Sequence, residues 1–313
     1  MHIAIMTDET GWHTRRLHRA LRRRGAQGRC LDLANCRIDT THAWHGLALP
    51  GYGRGLPDAV LVRGIAGGSL EQVTRRLGIL HALREFGVPV YNDARAIERS
   101  VDKSMTSVLL RAAGVATPPA WAIESAAEAQ ALVAREAALG NALVLKPLFG
   151  SQGNGLRLVG FVEGVVVPLP PLDNGYGGLA YLQRFIAART QPGHDFRVLV
   201  VGGVAIAAMR RVSEHWIHNV AQGARCEPQS LADGCGPELS QLAVAAARAL
   251  DMDYAGVDLM PSADGIQVIE VNGVAAWQGL QRVTPVDIAQ ALVDDLLNRK
   301  MKLAPRLAHR GLG

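Results

Sequence analysis

Lysine is nearly missing from this 313-residue chain: of 33 basic residues only Lys103, Lys146, Lys300 and Lys302 are lysine, and the rest are arginine. The last two sit near the C-terminal end. In a chain that otherwise chooses arginine, the two interior lysines mark places where a compact ammonium is wanted in place of a planar fork, as against a phosphate oxygen. Cysteine is equally scarce. Cys30, Cys36, Cys226 and Cys235 have neither zinc-ligand spacing nor a CxxC pair, and four thiols in a chain this long are no disulfide framework, so they are read as free thiols. No apolar run reaches membrane-spanning length, and His2–Met6 passes straight into Thr7-Asp8-Glu9, unlike a secretory signal. A cytoplasmic location without a membrane partner is the expectation. There is no P-loop, no Ser-His-Asp signature, no internal repeat and no low-complexity tract.

Apolar residues make up 49% of the chain, enough for a sizeable core and roughly two domains. The formal charge of +5 is modest, but Arg15, Arg16, Arg19, Arg22, Arg23 and Arg24 cluster on one predicted helix. Such a run suits an anionic partner or a solvated helix face. With no aromatic interleaving and no nucleic-acid motif, no nucleic-acid partner is expected.

Strands and helices alternate at first: strand 2–6, helix 12–24, strand 29–33, strand 59–62, helix 70–86, strand 88–91. That order predicts an α/β, Rossmann-like domain over residues 1–95. The only glycine-rich stretch read in this domain, Gly51-Tyr52-Gly53-Arg54-Gly55, does not join a strand to a helix, so no dinucleotide fingerprint is expected. A helix over 100–113, a break at Thr117-Pro118-Pro119, a helix over 126–139 and a strand over 142–146 follow. Then comes Pro147-Leu148-Phe149-Gly150-Ser151-Gln152-Gly153-Asn154-Gly155 and a strand over 156–160. The lysine precedes the glycines at the end of a strand, yet the small residues still let backbone N–H groups close on phosphate as an anion nest. The last third, with strands at 180–185, 197–201 and 204–211 and helices at 237–250 and 285–298, reads as α+β.

Residues 255–273, AGVDLMPSADGIQVIEVNG, form two apolar strands about a turn at Ser262–Gly265. With a loop of three or five residues, Asp258 lies opposite Glu270, and Asn272 shares the face of Glu270. Two carboxylates side by side among apolar neighbours repel each other and lose hydration unless a cation neutralises them, and oxygen-only ligands suit magnesium. An edge hairpin with its acids in solvent has the same sequence signature, so the hairpin alone leaves both readings open.

Taken in order, Asn92-Asp93, Asp102-Lys103-Ser104, Leu145–Gly153, Gln183–Ile186, His194–Arg197, Ala207–Arg211 and Gly256-Val257-Asp258 through Glu270-Val271-Asn272 resemble the ATP-grasp superfamily, and most closely RimK-like α-L-glutamate ligases. The resemblance implies an ATP-grasp fold: a pre-ATP-grasp domain (1–95), a central subdomain with a glycine-rich lid (96–182), a C-terminal subdomain with the metal site (183–300) and a tail (301–313). It implies that Lys103 and Lys146 contact ATP phosphates and that Ser151, Gln152 and Gly153 fold over them. The hinge Gln183, Arg184, Phe185 and Ile186 would hold adenine, Asp195 would reach the ribose, and Asn219 would sit near the γ-phosphate. Arg197 and Arg210 would be catalytic, facing the transferring phosphate and the oxyanion. Asp258, Glu270 and Asn272 would hold magnesium, two ions with Glu270 bridging, or manganese in its place.

The chemistry so implied is ATP-dependent joining of a carboxylate to an amine through an acyl phosphate, ADP-forming, in a homo-oligomer. Two departures bear on substrate. Ile217–Ala224 and Gly273–Leu280 differ from the segments found in ligases that modify ribosomal protein tails. The chain looks more like ligases that add L-glutamate to cofactors such as tetrahydromethanopterin or methylofuran. Arg63, at a strand end, is a candidate for the acceptor carboxylate, and Trp277 for stacking on a flat acceptor. The alternatives are a ligase joining another amino acid to a peptide or protein tail, and a nucleotide-binding protein without turnover.

Overall fold

The computed structural model describes residues 1–150, 153–173 and 175–303. Strands β1 (His2–Met6), β2 (Gln27–Leu31), β5 (Ala59–Val62) and β6 (Val90–Tyr91) form a parallel sheet in the order β2-β1-β5-β6, while β3 (Arg37–Ile38) and β4 (Leu47–Ala48) make a separate small hairpin. Alternation along the strands feeds two helices. Ile3, Ile5 and Leu61 meet Leu17 and Leu21 of α1 (Trp12–Arg23), and Ala4, Met6, Val60 and Val62 meet Ile79, Leu80 and Leu83 of α2 (Leu70–Glu85). One expectation needs correction here. A second glycine-rich stretch, Gly64-Ile65-Ala66-Gly67-Gly68, does join a strand to a helix, running from β5 into α2.

The helix expected over 100–113 is two helices, α3 (Ala94–Val101) and α4 (Lys103–Ala112). Asp102 interrupts it, leaving helical geometry while its carboxylate accepts from the N–H groups of Ser104 (2.9 Å) and Met105 (3.0 Å). That break sets Lys103 at the first residue of α4. The central sheet has the order β10-β9-β8-β11-β7, from β7 (Ala120–Ile123), β8 (Ala142–Lys146), β9 (Arg157–Val162), β10 (Val165–Val167) and β11 (Ala180–Arg184), covered by α5 (Ala126–Ala138).

The third sheet, also antiparallel, has the order β14-β13-β12-β15-β16, from β12 (Gly193–Val201), β13 (Val204–Ser213), β14 (Arg225–Gln229), β15 (Tyr254–Ser262) and β16 (Gly265–Asn272). Helix α6 (Gly236–Ala249) buries Leu239, Ala243 and Ala246 on Phe196, Val198 and Val257. The opposite face carries Leu199, Met209 and Trp277 into the core shared with α1.

After the short α7 (Gln278–Gln281), α8 (Ile288–Asp295) runs on as a π-helical turn over Leu296–Lys300 and packs against α1. Three of the six arginines in the basic run are spent on this contact. Arg16 and Arg23 pair with Asp287 at 3.2 and 2.9 Å, and Arg24 pairs with Asp294. No helix among the described residues is long and apolar enough to cross a membrane.

Asn92, fully buried, ties the first and third sheets together. Its Nδ2 donates to the carbonyls of Tyr254 and Gly273, both at 2.7 Å, and its Oδ1 accepts from the N–H groups of Asp253 (2.6 Å) and Tyr254 (3.0 Å). Both donors and both acceptor lone pairs are satisfied. Asn92→Leu strands four buried backbone groups and is expected to cost about 3 kcal/mol or more, read as a loss of denaturation midpoint. A stability unchanged by this substitution would show that the clamp is dispensable.

Candidate active site

The hairpin β15–β16 turns through two residues, Ala263 and Asp264, with Ser262 paired to Gly265. An unbroken ladder from that turn would set Asp258 against Ile269. Instead Leu259 pairs with Val268 and Asp258 with Glu270, so Ile269 is an extra, bulged residue. The expected pairing of the two acids is present, but a bulge produces it and not an odd loop. Asn272 lies opposite Gly256 and donates its Nδ2 to that carbonyl at 3.2 Å, which leaves Oδ1 as an acceptor.

A second bulge decides which arginine serves this face. In β12–β13 the register shifts between Leu199 and Val200, leaving Ile206 unpaired, so that Arg197 opposes Met209 and Asp195 opposes Arg211. Arg210 opposes Phe196 and lies on the other face of the sheet, bonded to Glu227 and nearly half exposed. The expected catalytic position of Arg210 is therefore corrected. The arginine that β13 sends toward the acidic pair is Arg211.

Arg197 pairs with Asp258 through Nε and through Nη2 at 2.8 Å. Arg211 reaches Asp258 Oδ2 at 3.1 Å and takes both oxygens of Asp195, one at 2.7 Å. Asp258, Asp195 and Arg211 are 1%, 2% and 3% exposed. Burial works to raise the pKa of Asp258, but the two guanidinium groups outweigh it and hold the carboxyl below the usual range. Asp195, expected at a ribose, has both oxygens committed to Arg211 and is turned away from solvent.

Lys103 donates from Nζ to the carbonyls of Leu148 (3.1 Å) and Gly150 (2.9 Å), pinning the start of the glycine loop. Lys146 donates to Gln183 Oε1 at 2.6 Å. Lys103, Lys146, Gly153, Asn219 and Glu270 line one cavity, and Gly153 packs so tightly on Asn219 and Ile217 that a Cβ there would lie 2.8 Å from Asn219 Oδ1. Burial lowers both lysine pKa values, that of Lys146 to about 8, with Glu270 opposing. Ser151 and Gln152 lie outside the described residues.

In the hinge, the N–H groups of Arg184 and Phe185 are bonded to Pro119 O and Ala142 O, and the Arg184 side chain pairs with Glu136 at 2.7 Å. The carbonyls and the N–H of Ile186 are what the hinge can still offer to a purine edge. Phe185 meets Trp216 edge-on, ring centroids 5.9 Å apart.

Arg63 donates to Val274 O at 3.2 Å, two residues beyond Asn272, which sets it at the rim of this site. Trp277 is corrected: it is 1% exposed, in edge contact with Trp12 and His13 at 4.8 Å each, so neither ring face is open to an acceptor. His13 Nε2 accepts from the backbone N–H of Trp277 at 3.2 Å, and burial, then Arg63, push its pKa down to about 4.

The profile of the RimK-like ATP-grasp domain matches residues 100–296, and that of the RimK pre-ATP-grasp domain matches 1–97. The chain belongs to the RimK-like ATP-grasp family. It is 37% identical to the tetrahydromethanopterin:alpha-L-glutamate ligase of Methanococcus maripaludis over 72% of this chain and 75% of that one. To a probable alpha-L-glutamate ligase of Hahella chejuensis it is 31% identical, over 95% and 97%. The structure of the ATP-grasp ligase PsnB, complexed with a phosphomimetic variant of its minimal precursor, Mg and ADP, superimposes with a TM-score of 0.68 at 21% identity, covering 95% of this chain and 97% of that one. The ATP-grasp fold and the ATP-dependent ligase class expected from the sequence both stand.

In this RimK-like ligase the donor set fits a hard divalent cation. Glu270 is half-buried with no hydrogen-bond or ion-pair partner among the described residues, Asn272 has Oδ1 to give, and Asp258 is held ionised.

Two outcomes follow from this geometry. Arg211→Lys is expected to lower kcat about 100-fold with the fold intact, whereas Arg210→Ala changes it less than about twofold; equal losses would put both arginines on one footing. Lys146 loses its charge as pH rises through about 8, when phosphate oxygens are already ionised. The affinity for a non-hydrolysable ATP analogue is therefore expected to fall through that value, and a flat profile well beyond it would place the lysine outside the phosphate site.

Proposed function

We propose that this protein is a magnesium-dependent, ADP-forming ligase that adds L-glutamate to the carboxylate of a small-molecule cofactor of the tetrahydromethanopterin or methylofuran class. The observation that carries the reading is the meeting of Glu270 with Lys103 and Lys146 on one cavity, beside its hairpin neighbours Asp258 and Asn272 and with no Ser, Thr or Cys among the described residues that line it. Phosphoryl transfer needs positioning and charge neutralisation more than covalent help.

The acceptor carboxylate attacks the γ-phosphorus of ATP and ADP leaves. The amine of glutamate then attacks the acyl phosphate, and inorganic phosphate leaves as the amide forms. Lys146 and Lys103 bind phosphate oxygens, and Arg197 with Arg211 stabilises charge at the carboxylate under attack. Asp258, Glu270 and Asn272 would hold magnesium, as one or two ions or with manganese in its place, which would supply charge neutralisation at the phosphates. The glycine loop docks on the 217–222 segment, where Gln222 Nε2 donates to Asn154 Oδ1 at 3.2 Å, and so excludes water from a readily hydrolysed intermediate. Arg63 receives the acceptor. Residence in the cytoplasm and assembly as a homo-oligomer belong to the same proposal.

Identity with the tetrahydromethanopterin ligase of M. maripaludis supports glutamate as the amine and a cofactor as the acceptor. The test is ADP release with magnesium, L-glutamate and tetrahydromethanopterin, with mass spectrometry of the acceptor and Glu270→Ala as control. Glutamate-dependent ADP and a matching mass gain, both lost in the control, are expected. ADP without a mass gain would overturn the acceptor, and no ADP with any amine would overturn the ligase.

A further inference from the structure

The β5–α2 turn has a construction that the reaction described above leaves unused. Arg76, on the second turn of α2, is 6% exposed and reaches back beneath the loop, where Nη1 donates to the carbonyls of Ala66 (2.6 Å) and Gly67 (2.8 Å). A trans peptide sets each carbonyl opposite the next residue's N–H, so drawing these two inward turns the N–H groups of Gly67 and Gly68 outward. Neither of these N–H groups has a partner among the described residues. One orphan donor of the 16-residue helix α2, on Leu70, follows directly, while the Glu71 N–H is bonded to its own carboxylate and Ser69 and Gln72 cap each other. Gly68 is required sterically: a Cβ there would lie 2.4 Å from Gln72 Oε1 and 3.1 Å from Arg76 Nη1.

The charge is unbalanced. Neither Arg76 nor Arg63, at the strand end of the same turn, is within ion-pair distance of a carboxylate among the described residues. The Nε atoms of both are buried without a partner. A buried guanidinium left uncompensated is costly, and outward N–H groups at a helix N-terminus above it are what an anion needs. The acids nearby leave Gly67, Gly68 and Leu70 uncovered: Asp8 lies against Gly64, and the Glu71 carboxylate takes Ser69 Oγ at 2.6 Å and its own backbone N–H.

We propose that the turn from Gly64 to Ser69, with Arg63 and the buried Arg76, is an anion cradle for the acceptor, which therefore carries a second carboxylate or phosphate apart from the carboxylate that is ligated. The proposal rests on the ligase reading for its occupant. Its position follows from Arg63, which spans from the cradle to Val274 O beside the metal ligand Asn272. Arg76 acts as a positioning residue, holding the loop carbonyls inward.

The test uses the full chain, isotopically labelled and saturated with magnesium and a non-hydrolysable ATP analogue so that the phosphate cavity is filled. It is titrated separately with inorganic phosphate and with glutarate. Saturable amide shifts at Gly67, Gly68 and Leu70 are expected with one of the two, and the anion that binds identifies the second group. Gly67→Asp, whose Cβ enters open space, and Arg76→Gln are each expected to weaken that binding at least tenfold and to raise the acceptor KM with kcat and analogue affinity kept. Shifts with neither anion, or binding undiminished in Gly67→Asp, would overturn the cradle. Anion binding without turnover keeps the cradle and removes the ligase; turnover without anion binding does the reverse.

Discussion

Two carboxylates and two guanidinium groups, Asp195, Asp258, Arg197 and Arg211, neutralise one another inside the third sheet, and the C-terminal domain is organised around that balance. Each of the four is buried or nearly so, and deleting any one would leave its partner uncompensated, at a cost of about 3–5 kcal/mol. The cluster spans β13, β12 and β15, so the three strands are locked in a single register. That locking is what holds Asp258 ionised and at hand beside Glu270. A metal site built on a looser sheet would have to neutralise and order its ligands at the moment of binding.

The two bulges explain where sequence reasoning succeeded and where it slipped. Side-chain alternation is exact only while the ladder is unbroken, and one extra residue exchanges the faces beyond it. In β15–β16 an odd loop and a bulge have the same effect, so Asp258 and Glu270 were paired for a reason that differs from the true one. In β12–β13 an unbroken ladder from a two-residue turn would put Arg210 on the face of Asp195, but the bulge at Ile206 puts Arg211 there. Ile206 and Ile269 are ordinary apolar strand residues, so nothing local announces the bulges. The edge strands β7, β10 and β14 went unseen because each is short and held by one neighbour. Helix α4 was misread for the opposite reason: the capping preference of Asp102 was legible, and the helical pattern on both sides masked it.

Composition proved a better guide than motif for the charges. The two interior lysines were singled out only because the chain otherwise avoids lysine, and both line the cavity that holds Glu270. The arginine run on α1 drew attention for its density, but its fork-shaped side chains grip the acids of α8, a contact 264 or more residues away in sequence that no local pattern encodes. Trp277 fails as a stacking platform on the same ground: the docking of α1 against the third sheet, which buries it, is a tertiary event.

The segment leaving β16 shows how these elements meet. Asn272 donates its Nδ2 to Gly256 O, the carbonyl of Gly273 is held by Asn92, and the carbonyl of Val274 is held by Arg63. Gly273 has no room for a side chain, since a Cβ would lie 2.6 Å from Ser100 Oγ. Two consecutive residues, Gly273 and Val274, thus connect the third sheet to the N-terminal domain through side chains at two parallel strand ends, β5 and β6. Whatever that domain binds is consequently placed at a fixed offset from Asn272, without a flexible joint between. Because an effective near-attack arrangement tolerates only small misplacement, this link suits the proposed division of labour, in which the N-terminal domain would select and position the acceptor while Asp258, Glu270, Lys103 and Lys146 would serve any acceptor alike.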